Sequence, residues 1–241
     1  MMKTWQKFVL ITMLVLAVFG IRIYFVWKER QEPMVQKPVR QERPVTDDDL
    51  VQPRKLLIDD VKSAKELIDK PVWVQAGYEL DYFPYANHTV NFNHKVGVLP
   101  SIQQLQVKDI ILAKAPANLA TRLPKGDKQV YAVFQLPNDA KQYAIAVGYI
   151  QGTDSTFYCD DVFFYDDPHQ MYKHWPADVW QAIDQHQPKP GMSELQVAMA
   201  LGMIQQSDSS NYGNRTVHYD ADGKKWNVSF QHDKATNVQG E

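Results

Sequence analysis

The sequence predicts an α+β protein built from four consecutive parts, and three observations lead to that prediction. A long apolar run lies near the N-terminus, a segment rich in proline and charge follows it, and short apolar runs with alternating or helical spacing fill the remainder. The predicted parts are a transmembrane helix (1–27), a linker (28–55), a β-rich central domain (56–170) and a C-terminal module of helices and antiparallel strands (171–241).

The apolar run extends from Phe8 to Trp27 and is broken only by Thr12, Gly20 and Arg22. A helix of this length matches a hydrocarbon core of about 30 Å. Because no cleavage site of small residues follows, the run is predicted to be an uncleaved signal anchor of a single-pass inner-membrane protein. Basic residues on the two sides of the run balance each other, so charge alone leaves the orientation open.

The segment after the run contains four prolines and charges of both signs, which is typical of a solvated, partly extended linker. Its acidic run, Asp47-Asp48-Asp49, is interpreted as solvated rather than metal-binding. A net charge of −2, with no basic stripe among the aromatic residues, excludes nucleic acid as a partner. Cys159 is the only cysteine, so an intrachain disulfide is excluded and stability must come from burial.

The C-terminal module is predicted from local signals for helix ends. Ser193 and Gln196 have the spacing of a capping box, and Met192 with Val197 has the spacing of a hydrophobic staple. Gly202 is placed to end that helix. A preceding helix is predicted to start at Pro176 and to include residues 177–183.

Two alternating runs follow these helices. Residues 216–219 and 225–230 each place apolar side chains on one face, which predicts half-buried antiparallel strands. The turn between them, Asp220 to Gly223, contains the Asp-Gly pair that favours a hairpin.

The segment Gly191-Met192-Ser193-x-x-Gln196-Val197, ending in Leu201-Gly202 and followed by strands that contain Trp226, resembles the SmpA/OmlA family. These BamE-like lipoproteins take part in bacterial outer-membrane assembly. The resemblance covers about residues 176–238 and implies a module of two helices and three antiparallel strands that binds proteins. It also implies a position outside the cytoplasm; a cytoplasm-facing domain is the alternative. The chain departs from the family by Met203, where proline is expected, and by the lack of a lipobox cysteine, so outer-membrane attachment does not follow.

The central domain is predicted to be mostly β. Asp60 to Asp69 has the spacing of a short amphipathic helix that Pro71 ends. Both faces of the run 130–134 are apolar, which indicates a central strand or one that lines a small barrel. The fold prediction for this domain is therefore a small β-barrel or sandwich, with strands at 72–74, 105–107, 130–136, 143–150 and 157–165.

Four aromatic residues around Pro84 are the candidate binding site: Tyr78, Tyr82, Phe83 and Tyr85. In a loop, their rings would stack on a cell-wall glycan or hold an apolar peptide segment. The alternative is that these rings pack in the core beneath the loop.

Two further sets carry residue types that are used in catalysis. Residues of the types that bind metal ions lie close together in the chain: Asp160, Asp161, Asp166, Asp167, His169 and His174. Their spacing does not show that the side chains converge on one ion, so we prefer the interpretation that this segment is a turn that ends a strand. Cys159 lies between phenylalanines and is predicted to be a buried, inert thiol. We therefore expect no catalytic residue, no metal and no cofactor.

Taken together, these patterns predict a membrane-anchored protein of the bacterial envelope that binds another envelope protein or an assembly machine. Binding of a cell-wall glycan through the aromatic residues near Tyr82 is the alternative, and a metal-dependent hydrolase is a third, less favoured one.

Overall fold

The computed structural model describes the backbone of residues 4–31, 45–221 and 223–241, and within the first helix it describes the side chains of residues 13 and 16–28. The chain divides into two compact units, Met1–Glu42 and Arg43–Glu241. We call the second the main unit. Helices and antiparallel sheets are both present, which confirms the predicted α+β class.

The first unit contains one helix, α1, Thr4–Gln31. It includes the predicted span Phe8 to Trp27, and its described side chains are exposed. A search of the described residues finds no helix that is both long and apolar enough to cross a membrane. The side chains of residues 8–12 and the linker residues 32–44 lie outside that description, so the anchor stays a prediction.

The helices of the main unit are short. They are α2 (Asp47–Leu50), α3 (Val61–Ala64) continued by a 3₁₀ turn (Lys65–Leu67), α4 (Cys159–Val162), α5 (Pro168–Met171), α6 (Ala177–Asp184) and α7 (Glu194–Leu201).

The strands form two sheets. The large sheet contains β1 (Pro71–Val74), β2 (Leu80–Ala86), β3 (Thr89–Val90), β4 (Gly97–Leu99), β5 (Gln104–Ala113), β6 (Lys128–Gln135), β7 (Gln142–Gln151), β8 (Asp154–Phe157) and β9 (Phe163–Phe164). The small sheet contains β10 (Ile204–Ser207), β11 (Thr216–Ala221), β12 (Lys224–Gln231) and β13 (Lys234–Gly240).

The large sheet is one open, antiparallel sheet, and this corrects the predicted barrel or sandwich. Its order is β3-β2-β7-β6-β5-β1-β9, with β4 also beside β2 and β8 beside β7, and no pairing among the described strands closes the path. Strand β6 is central and buried on both faces, as predicted. Val130, Ala132 and Phe134 face one core, and Tyr131 and Val133 face another, because both sides of the sheet are covered.

The predicted helix at residues 60–69 is present but ends earlier. Asp60 caps α3 by accepting a hydrogen bond of 2.6 Å from the Ser63 amide. Ala64 and Leu67 are fully buried against the large sheet, as their spacing indicated. The helix tightens to a 3₁₀ turn and ends at Leu67.

Two segments of the large sheet differ from prediction. The predicted strand 157–165 is interrupted by α4, which buries Cys159 and Val162 in the core beneath the sheet. The Asp160 carboxylate within α4 accepts a hydrogen bond from the Tyr165 hydroxyl at 2.8 Å, which favours the turn over a continuous strand. The predicted aromatic loop is strand β2, paired with β7 from Tyr82 to Tyr85.

The small sheet has the order β10-β11-β12-β13, four strands where the resemblance implied three. The predicted hairpin is β11–β12, with Val217 opposite Val228; Asp222 in its turn lies outside the described residues. Helices α6 and α7 pack on one face of this sheet. The same core includes Trp73 and Phe164 of the large sheet, and both sheets lie within the main unit.

Residues 45–58, which we call the strap, pack against the rest of the main unit, although most of them were predicted to belong to the linker. Asp48 forms hydrogen bonds of 2.6 Å to His174 Nε2 and Trp175 Nε1. The Arg54 guanidinium donates to the Tyr165 carbonyl at 3.0 Å. The described part of the predicted linker is therefore held by side-chain contacts that sequence spacing alone does not indicate.

Candidate functional site

A cleft of about 500 Å³ lies between the edge of the large sheet and the C-terminal module; we call it the edge cleft. One wall comes from the two residues before β2, from β4 and the turn after it, and from Arg122. The other wall comes from the ends of α6 and α7, from β10 and from the β11–β12 turn. Both sheets of the main unit therefore contribute to it.

The first wall follows from the pairing of β4. Leu99 lies opposite Leu80, and Gly97 lies opposite Tyr82, so β4 extends along the outer side of β2. The chain then turns at Pro100 and Ser101, and both residues line the cleft. Strand β4 was not predicted, because a run of three residues is too short to show a period.

The second wall follows from the capped helix that the sequence predicted. Ser193 Oγ accepts from the Gln196 amide at 3.3 Å, and the Gln196 side chain accepts from the Ser193 amide at 2.9 Å, which confirms the capping box. Helix α7 ends at Leu201, and the next residue, Gly202, has a φ of +86° that disfavours any other residue type. The end of the helix thereby places Ala200 and Leu201 along the cleft.

One lining residue of the cleft, Ser101, has a buried hydroxyl without a partner. Ser101 is 4% exposed, and its Oγ has no hydrogen-bond partner among the described protein atoms. Gly202 stands opposite, since a Cβ at that position would lie 3.3 Å from Ser101 Oγ. A buried, unpaired polar group costs about 1–3 kcal/mol, and the Tyr219 hydroxyl is a second such group in the described part of the chain.

The charged groups of the cleft are mostly engaged with each other. Glu79 forms a salt bridge with Arg122 and accepts a hydrogen bond from Gln205 Nε2 at 2.5 Å. This hydrogen bond joins the two walls, because Glu79 precedes β2 and Gln205 is on β10. His186 Nδ1 is 2.8 Å from the Ala200 carbonyl oxygen, a hydrogen bond between the ends of α6 and α7. Asp220 is exposed on the second wall.

The mouth of the cleft is partly apolar and is bordered by strand edges. Tyr78 is 39% exposed and Val98 is 43% exposed. In the described part of the chain β4 pairs only with β2, and β10 pairs only with β11. The backbone along the outer edges of two strands is therefore available beside a partly apolar opening.

The four predicted aromatic site residues do not form one surface. Tyr78 lines the edge cleft. Tyr82 is half-buried, with its ring 5.3 Å from that of Tyr143, and burial raises the pKa of its hydroxyl. Phe83 and Tyr85 are buried on the opposite face of β2, in a different core. Alternation along a strand separates these side chains, whereas the prediction placed them together in a loop.

The acidic and histidine residues predicted as the alternative metal set mainly hold segments of the main unit together. His169 stacks on Trp180 at 4.1 Å and lies 3.1 Å from carboxylate oxygens of both Asp167 and Asp184. Asp160 accepts a hydrogen bond from the Leu56 amide of the strap. Within the described ranges, no three His, Cys, Asp or Glu side chains are placed to hold a metal ion together.

The predicted buried thiol is confirmed. Cys159 is fully buried, and desolvation, together with the nearby charge of Asp160, raises its pKa to about 12. The thiol therefore stays protonated at neutral pH and lacks the thiolate character that a nucleophile requires.

The residues that define the cleft were largely missed from the sequence. Ser101, Arg122 and Gln205 stand in no motif, and they meet only because distant strands bring them together. Tyr78 and Gly202 were exceptions: Tyr78 belonged to the predicted binding set, and the position of Gly202 after a capped helix marked it as a helix end. Comparison with protein-family models, curated proteins and solved structures finds no match for this chain. The SmpA/OmlA resemblance accordingly stays a prediction.

Proposed function

We propose that this chain acts by binding an extended segment of another protein in the edge cleft, and that it does so as a membrane-anchored protein of the bacterial envelope. The observation that carries the proposal is an open cleft whose partly apolar mouth is bordered by two strand edges, β4 and β10. An extended segment placed there has main-chain groups for a strand edge and side chains for the apolar surface.

Exposed apolar residues of the main unit support this location. The large ones that the structure describes are Val45, Leu50, Leu57, Tyr78, Val96, Val98 and Leu112. Three lie in the strap, Tyr78 and Val98 line the edge cleft, and Val96 lines a separate depression beside β2 and β7. Clustered apolar exposure is typical of a surface that contacts another protein.

The C-terminal module contributes to binding through the cleft wall rather than through its free sheet face. No large apolar residue from 171 to 221 or from 223 to 241 is exposed. The outer face of the small sheet is polar: Thr216 Oγ1 lies 3.1 Å from Ser229 Oγ, and His218 forms a hydrogen bond with Asn227. A protein partner gains little from such a face, because its polar groups already pair across the strands.

The membrane part of the proposal rests on the sequence. The apolar run from Phe8 to Trp27 is the anchor, and the resemblance to envelope lipoproteins supports placement of the main unit outside the cytoplasm. Protease added to spheroplasts should then digest the main unit. Survival of the main unit in that experiment would favour the cytoplasm-facing orientation.

Site-specific photo-crosslinking in intact cells tests the binding site. A photoreactive residue at Tyr78, which lines the cleft and is exposed, should crosslink to a protein partner, and Val98→Glu should abolish the crosslink by placing a charge at the mouth of the cleft. Leu112→Glu is the matched control, because Leu112 and Val98 are both 43% exposed and Leu112 does not line the cleft. Absence of a crosslink at Tyr78, or equal loss with both charged variants, would contradict the proposal.

A further inference from the structure

We infer that a strip of glutamine side chains on one face of the large sheet is a second binding site, which takes a neutral oligosaccharide. The strip consists of Gln104, Gln106, Gln135 and Gln142, and we call it the amide strip. It is separate from the edge cleft, because the described lining of that cleft includes none of the four residues.

Strand pairing places the four side chains of the amide strip on the same face. Gln106 of β5 lies opposite Gln135 of β6, and Gln135 lies opposite Gln142 of β7. Gln104 comes two residues before Gln106, so its side chain points to the same face. Neighbouring strands lie about 4.8 Å apart, so the strip extends about 10 Å from β5 to β7 and can contact more than one sugar ring.

The amide groups are accessible, and most of their hydrogen-bonding capacity is unused. Gln104 is exposed, the other three are half-buried, and none of the unpaired amide atoms of those three is buried. A groove of about 600 Å³ is lined by Gln104, Gln106 and Gln135, and Gln142 lines the depression beside β2 and β7. Among described atoms, the side chains of the strip make one hydrogen bond within the protein, from Gln135 Nε2 to the Ala140 carbonyl at 3.0 Å.

The absence of charge in the amide strip sets the class of ligand. The cross-strand row that contains three of its glutamines carries no charged side chain from β1 to β2: Pro71, Gln106, Gln135, Gln142 and Tyr85. Protein surfaces commonly carry charges that oppose association of copies, whereas aligned glutamines favour stacking between chains. Amide groups donate and accept hydrogen bonds without charge, so they match the hydroxyl groups of a neutral sugar.

An aromatic ring lies beside the amide strip. Trp73 of β1 lies opposite Gln104, so the two side chains are neighbours on the same face, and Trp73 is half-buried. A sugar ring has an apolar face of C–H groups that packs on an aromatic ring while its hydroxyl groups reach polar side chains nearby. The strip and Trp73 together provide both kinds of contact.

An extended polypeptide matches this surface less well than it matches the edge cleft. At the amide strip, Gln106 is paired with Pro71 and Gln135, and Gln142 is paired with Gln135 and Tyr85. Strand addition requires a free edge, and the main-chain groups of these interior strands are already paired. A ligand on this face therefore contacts side-chain amides and rings.

Titration with neutral oligosaccharides tests the amide strip. The full-length chain, purified in a detergent without a sugar headgroup, is titrated with cellotetraose, with chitotetraose and with a capped tetra-alanine peptide, and binding is measured by ligand-observed NMR. At least one of the two oligosaccharides should bind more tightly than the peptide. Gln106→Ala and Gln142→Ala should each weaken that binding by roughly five- to tenfold, the loss of about one hydrogen bond.

Gln239→Ala is the matched control, because Gln239 is an exposed glutamine on β13 of the small sheet. It should leave the oligosaccharide affinity unchanged. The urea midpoints of Gln106→Ala and Gln142→Ala should stay close to that of the unaltered chain, because the amide groups removed make no hydrogen bond to described protein atoms. If one variant is destabilised, the other, on a different strand, decides the test.

Three outcomes would overturn the inference: binding of neither oligosaccharide, tighter binding of the peptide, or the same affinity in both strip variants as in Gln239→Ala. The crosslink at Tyr78 should persist in Gln106→Ala, because the amide strip and the edge cleft share no described residue. Lack of that crosslink in the unaltered chain would count against the proposed protein binding and leave the oligosaccharide site in place.

Discussion

The strongest stability prediction concerns Glu194, a buried carboxylate at the first position of α7. Its side chain is 1% exposed and accepts hydrogen bonds from Arg215 Nε at 2.9 Å and from the Gly213 amide at 2.7 Å. Arg215 Nη2 donates a third hydrogen bond to it, and the Arg215 side chain is 14% exposed. This ion pair connects the start of α7 to the loop before β11.

Glu194→Ala should reduce the free energy of unfolding by about 3–5 kcal/mol, the range for removing one partner of a buried ion pair. Two effects add: the Gly213 amide loses its acceptor inside the protein, and the Arg215 guanidinium keeps its charge with little access to water. Asp81→Ala provides the comparison, because its partner Lys95 is 53% exposed at 3.1 Å. An exposed pair of this kind contributes about 0–1 kcal/mol.

Urea unfolding of the purified chain at neutral pH measures both changes through the midpoint at constant m-value. A double-mutant cycle with Arg215→Met isolates the pair, and we expect a coupling of about 1–3 kcal/mol, since the second substitution removes the charge that the first leaves unpaired. A Glu194→Ala effect no larger than that of Asp81→Ala would refute the reasoning, because burial would then have made no difference.

Three further predictions follow from the cap, the strap and the thiol. Ser193→Ala should lower the free energy of unfolding by about 1 kcal/mol in the same urea assay. Val197→Ala, at a fully buried side chain, should lower it by about 1–2.5 kcal/mol, and negligible effects of both variants would contradict the packing of α7. Asp48→Ala should lower hydrogen-exchange protection across the strap, because its two side-chain hydrogen bonds are lost. Asp47 is exposed, so Asp47→Ala should leave the protection unchanged, and equal protection in the two variants would argue against the contact of Asp48 with His174 and Trp175. Cys159 should be alkylated much more slowly at pH 9 in the folded chain than in urea, and similar alkylation rates would be inconsistent with burial. The free energy of unfolding should also fall as pH rises from 9.0 toward about 12, because the unfolded thiol ionises in this range and the folded thiol does not.

Local signals in the sequence predicted the local structure well. The capping box of α7 and the β11–β12 hairpin each depend on residues within a few positions of one another, so their spacing can be recognised directly. The central position of β6 was also predictable, since apolar residues on both faces require cover on both sides.

Features that depend on distant residues could not be predicted in this way. The aromatic residues of β2 surround Pro84, and a proline in a short run favours a loop in sequence terms. In the structure Pro84 lies opposite Tyr143 within the β2–β7 pair. The partners of Asp48 and the contact between Glu79 and Gln205 are likewise set by tertiary packing, so neither the strap nor the cleft leaves a pattern in the sequence.

The position of β1 has a consequence for the order in which the protein folds. Trp73 of β1 lies opposite Gln104 of β5 on one side and opposite Phe164 of β9 on the other. During synthesis from the N-terminus, the second edge of β1 has no native partner until residue 164 has been made. Because closing so long a loop is entropically unfavourable, we expect the β1–β9 pair to form late. Until then β1 presents an open edge that can pair with a strand of another chain.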